Sequence, residues 1–114
     1  MPAARLLLVA PDTDLRRSLA FALGAEGFTV ALLDRPPAAS GPPTQVFDCT
    51  IVDQNALTGA PSDVVAFCIR AHPVVLLANR PHPWLVDSVA EIIDLPLAGN
   101  AVSAAVQHAM HAQA

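Results

Sequence analysis

Short apolar runs that recur between amphipathic stretches constrain this chain more than any other feature. Residues 5–10, Arg-Leu-Leu-Leu-Val-Ala, are too few for a helix and end at Pro11, which fits a strand buried on both faces. Residues 12–26 then space Leu15, Leu19, Ala22 and Leu23 three and four apart, with Asp12 or Thr13 as cap and Gly27 as stop, the pattern of an amphipathic helix. Further strands are expected at 28–33, 49–53, 74–78 and 91–95, and further helices at 62–71, briefly at 84–89, and at 101–111. Strands alternating with helices form βαβ units, and right-handed crossovers lay these down as a parallel sheet covered on both sides, a doubly wound α/β fold. Residues 34–46 break the alternation. Their paired prolines, 36–37 and 42–43, with Gly41 between, leave room for about one helical turn, so the second helix is expected to be shortened or missing.

Composition narrows the function. At 114 residues the chain makes one domain and buries roughly two-thirds of its unfolded surface, enough for a core without disulfides or a structural metal. Cys49 and Cys68, both in apolar stretches, read as small buried hydrophobes. A net charge of −4 is the wrong sign for a surface that neutralises phosphates, which argues against nucleic-acid binding. No stretch approaches the roughly 18 apolar residues of a membrane span, and the run at 6–10 is shorter than a signal-peptide core, so a cytoplasmic location is expected. All six cationic side chains are arginine and there is no tyrosine, which excludes any mechanism built on a lysine ammonium.

In doubly wound sheets ligands gather at the carboxyl ends of the strands. Those ends hold Ala10-Pro11-Asp12, Asp53-Gln54, Ala78-Asn79 and Leu95-Pro96. Four blocks around them, Leu-Val-Ala-Pro-Asp-Thr-Asp-Leu-Arg at 8–16, Phe-Asp-Cys-Thr-Ile-Val-Asp at 47–53, Pro-Val-Val-Leu-Leu-Ala at 73–78 and Ile-Ile-Asp-Leu-Pro-Leu at 92–97, resemble the signature blocks of response-regulator receiver domains. They fall in the family's order across nearly all of residues 1–114. The resemblance implies a flavodoxin-like sheet of order 2-1-3-4-5, and phosphoryl transfer from a histidine kinase to Asp53.

Matched position by position, the rest of the family's site departs from the pattern. Ala10 and Pro11 stand where the resemblance implies a magnesium-binding acidic pair, Ala78 where it implies a hydroxyl, Leu95 where it implies a lysine, and Ile92 where it implies a switch aromatic. Phosphoryl transfer depends on offsetting charge at the equatorial oxygens. Losing one such donor typically costs about 3–4 kcal/mol, so losing metal, lysine and hydroxyl together makes self-phosphorylation inefficient. Asp53 is then either a vestigial carboxylate or an acceptor with unusual metal ligation. Asp12, one step past the acidic pair, reads as a helix cap, with weak metal binding shared with Asp53 as the other reading. No cofactor is expected unless Mg²⁺ serves that second reading.

No other catalytic constellation emerges. His108 and His111 read as solvated helix residues, His72 and His82 flank proline turns, and no glycine-rich phosphate loop follows the first strand. Charged residues make up only 14% of the chain, so part of the exterior is expected to be covered by a partner, either a histidine kinase or other regulatory protein, or a second copy in a homodimer. Two places could supply the contact: the sheet face left thinly covered by the proline-rich connection at 34–46, and the face of the short helix at 84–89, the last strand and the last helix, with Trp84, Leu85, Leu97 and Val102, which the resemblance implies as a dimer or output surface. The expected role is therefore a phosphorylation-impaired, receiver-like signalling module acting by protein contact, not an enzyme, with a genuine Asp53 phosphoacceptor as the alternative.

Overall fold

The computed structural model describes residues 4–36, 47–95 and 101–112. Five parallel strands, β1 (Arg5–Val9), β2 (Thr29–Leu33), β3 (Cys49–Asp53), β4 (Val74–Leu77) and β5 (Glu91–Ile93), form one sheet in the order β2-β1-β3-β4-β5. Three helices, α1 (Thr13–Ala25), α2 (Pro61–Arg70) and α3 (Ala101–Ala112), connect or cover them. The doubly wound arrangement and strand order are those expected. Residues 37–46, on which the expected shortening of the second helix falls, lie outside the described residues.

Strand alternation divides the core into two. Leu6, Leu8, Cys49, Ile51, Val75 and Leu77 point to one face, where Leu19 and Leu23 of α1 and Val102, Val106 and Ala109 of α3 cover them. Leu7, Val9, Val52, Val74 and Leu76 point to the other, against Val64, Phe67 and Cys68 of α2. The central strands are apolar at nearly every position because both faces are covered. Each fully buried Leu or Ile contributes about 1.5–3 kcal/mol. Both cysteines are free and buried, as expected.

Local chemistry fixes the helix ends. Asp12 caps α1, its Oδ1 accepting from the backbone N–H of Asp14 at 2.9 Å and of Leu15 at 3.1 Å. Gly27 adopts φ +97°, a left-handed conformation that lets the chain leave α1 for β2. Pro61 opens α2, with Asp63 in the first turn and Arg70 in the last, each at the end of the helix dipole that favours its charge. Ser103 of α3 donates to Glu26 at 2.9 Å, and His108 pairs with Glu91 of β5. His108 is thus tied to the sheet edge, not merely solvated.

The helix expected at 84–89 is instead one 3-10 turn, Val86–Ser88. Only a few residues separate Pro83 from β5, and within them Leu85 must reach the core while Val89 returns to extended backbone. Bonds from Leu85 N–H to His82 and from Ser88 N–H to Leu85 satisfy the tighter turn.

Candidate functional site

The register of the central strands sets a single carboxylate among apolar neighbours at the carboxyl end of the sheet. Val9 pairs with Val52 and Asp53 with Leu77, so Asp53 ends β3 between Ala10, just past β1, and Ala78, just past β4. Ala10, Asp53 and Ala78 are all buried, Asp53 at 3% exposure. Asp53 Oδ1 accepts the backbone N–H of Asn55 at 2.9 Å and caps the 3-10 turn Gln54–Ala56 that leads toward α2. Two ion pairs among the described residues, Asp34 with Arg35 and Glu91 with His108, do not involve Asp53.

Other predicted residues are placed apart from that carboxylate. Asp12 is exposed and spends its oxygen on the first turn of α1. Leu95 packs into the cluster of α1 and α3, and Ile92 packs against the α2-side cluster. Among the described residues no three His, Cys, Asp or Glu side chains gather in a way that would hold a metal ion.

Three residues given no role by sequence reasoning organise this end of the sheet. Arg16, in α1, sends its guanidinium back to the end of β1, with Nη1 donating to the carbonyl of Ala10 at 2.6 Å and reaching that of Pro11 at 3.4 Å. Gln54 grips the β4–β5 connection from both sides, its amide donating to the Arg80 carbonyl at 3.1 Å and accepting from His82 N–H at 3.0 Å. Asn79 Oδ1 accepts from Leu95 N–H at 2.8 Å. The sequence signal for the two amides is their place just beyond the buried residues Asp53 and Ala78 that close the ends of β3 and β4.

The predicted contact face holds only in part. Trp84 is 41% exposed and stacks on His82, ring centroids 5.0 Å apart. Leu85 is 0% exposed and belongs to the α2-side core, while Val102 is 5% exposed and packs beneath α3. Both are core residues and not contact residues, because each points from its turn or helix directly onto the sheet. Leu97 lies outside the described residues.

No protein-family model and no curated protein matches the sequence. Solved structures do. A response-regulator receiver domain from Methanospirillum hungatei superposes with a TM-score of 0.79 at 14% identity, covering 97% of this chain and 96% of that one. The non-phosphorylated HemR receiver domain from Leptospira biflexa gives 0.74 at 19% identity over 94% of each chain. A two-component response regulator from Clostridium difficile gives 0.76 at 16%, covering 96% of this chain and 98% of that one. The fold is that of receiver domains.

Proposed function

We propose that a chain with the receiver fold and this buried Asp53 is a two-component signalling module that works by protein contact with its Asp53 carboxylate unmodified. It is a binding domain and not an enzyme, and its partner is a histidine kinase, another regulatory protein or a second copy. The observation that carries this is the environment of Asp53: one buried carboxylate between two alanines, its Oδ1 engaged by the N–H of Asn55.

Magnesium takes near-octahedral oxygen coordination and dehydrates reluctantly. Here the carbonyls of Ala10 and Pro11 face a guanidinium, Asp12 caps α1, and Ala78 has no oxygen in its side chain. That donor set does not fit the ion. The guanidinium of Arg16 puts fixed positive charge just past β1, but it is committed to backbone carbonyls. Gln54 and Asn79 also tie the loops after β3, β4 and β5 to one another, which favours one constant surface over a switching one.

Incubation with acetyl phosphate and Mg²⁺, read by intact mass and amide NMR, tests this reading. No covalent adduct and no beryllofluoride-induced shifts at Asp53 are expected. A stoichiometric phosphoryl adduct abolished by Asp53→Asn would refute it.

A further inference from the structure

We infer that this chain pairs with a second copy of itself through the free edge of β2, joining two sheets into one about a two-fold axis at Ala31. The inference deepens the contact-based reading above by naming the partner and the surface.

Among the described residues β2 is bonded to β1 alone and forms the end of the sheet. Thr29 N–H donates to the carbonyl of Ala4, and Ala10 N–H donates to the carbonyl of Leu33. Backbone groups alternate along a strand, so Thr29, Ala31 and Leu33 direct theirs to β1, whereas Val30 and Leu32 direct theirs outward. The strand reads Thr-Val-Ala-Leu-Leu, with no charge and no proline, and Ala31, Leu32 and Leu33 are exposed. Edge strands are usually protected by charges, prolines or bulges, and this one carries none of them.

Self-complementarity selects the occupant. In an antiparallel pair, residues that face each other turn their backbone groups both toward the partner strand or both away from it, in alternation. With Ala31 opposite Ala31 of the second copy, Val30 falls opposite Leu32, and the two pairs supply their outward groups to each other. The closest approach falls at alanine, and every residue of the strand meets an apolar or hydroxyl side chain. The same register sets Arg35 beside the Glu26–Gly27 turn of the second copy, twice by symmetry. Arg35 is free to turn there, because its present partner, Asp34 at 3.7 Å, is solvent-exposed, as is Arg35 itself. Opposite charges therefore meet at both ends of the strand pair, and no like charges oppose each other.

Sedimentation equilibrium of the full chain is expected to show a dimer. Leu32→Lys is expected to raise its dissociation constant by about tenfold or more, with the circular dichroism spectrum unchanged. Arg35→Glu is expected to weaken it, as is Glu26→Gln, which removes the charge while keeping the acceptor for Ser103. Amide exchange at Val30 and Leu32 should slow as protein concentration rises. A monomer at millimolar concentration overturns the inference, as does a dimer indifferent to both Leu32→Lys and Arg35→Glu. A phosphoryl adduct on Asp53 would instead overturn the reading of that carboxylate and leave the dimer measurement standing, so the two failures are distinguishable.

Discussion

Removing the Gln54 amide should release the whole connection between β4 and β5. Gln54→Ala deletes two hydrogen bonds, one to the Arg80 carbonyl and one from His82 N–H. Neutral hydrogen bonds contribute about 0.5–1.5 kcal/mol each, and these are exposed, so the freed backbone groups regain water and the joint loss is about 1–2 kcal/mol. Over 114 residues the unfolding entropy at the midpoint is roughly 0.24 kcal/mol/K, so Tm falls by about 4–8 °C. The local signature separates this from a diffuse loss. Trp84 is the sole tryptophan and stacks on His82, so its emission should shift and the His82 amide should exchange faster, while amides of β1 and β3 keep their protection relative to global stability. Gln54→Glu keeps the acceptor for His82 N–H but loses the donor to Arg80, and should fall between. A Gln54→Ala protein with unchanged Tm, unchanged Trp84 emission and unchanged His82 exchange would show that the amide does not hold this loop.

Asp12→Ala removes the α1 cap and should cost about 1 kcal/mol in urea denaturation without altering any Mg²⁺ titration of the Asp53 amide. Unaltered stability with a lost Mg²⁺ response would make Asp12 a ligand instead. Burial pushes the Cys49 thiol up to about 12 and the Cys68 thiol up to about 11, from 9.0. Both should resist a thiol reagent at pH 8 in the folded protein and react after denaturation. The raised values add stability that is complete below pH 9 and is lost as pH climbs through 11 to 12, because only the unfolded chain releases its protons near 9. By pH 10 the loss should reach about 1 kcal/mol per thiol, measured as a lower urea midpoint.

What could be read from the sequence follows from how far each interaction reaches along the chain. The five strands were legible because alternation and short apolar runs are local, and the Asp12 cap because its partners lie two and three residues on. Leu85 and Val102 were misread because an apolar side chain carries the same signal whether it faces a partner or the core. The segment 84–89 holds one 3-10 turn because a stretch this short between Pro83 and β5 has room for little more. Gln54 and Asn79 are not legible because their bonds span 28 and 16 residues, and nothing local to an amide names a distant backbone partner. Arg16 is nearer, six residues from Ala10, but its bond needs the turn at Pro11 to bring α1 back over the end of β1.

Asp53 has a structural role that needs no phosphate. Its carboxylate ends β3 and accepts the N–H of Asn55, a charge-assisted bond that fixes the turn carrying buried Ala56 and Leu57 toward α2. Phosphorylating either oxygen to the acyl phosphate would weaken that bond: on Oδ1 by displacing it, on Oδ2 by drawing negative charge from the remaining carbonyl. Modification would therefore oppose the local fold as well as lack a charge-offsetting partner. An asparagine at 53 keeps a carbonyl oxygen in the same place and supports the same turn, losing only the charge-assisted part of the bond. Asp53→Asn thus removes the nucleophilic carboxylate while retaining the cap, whereas Asp53→Ala removes both and confounds lost chemistry with a loosened turn.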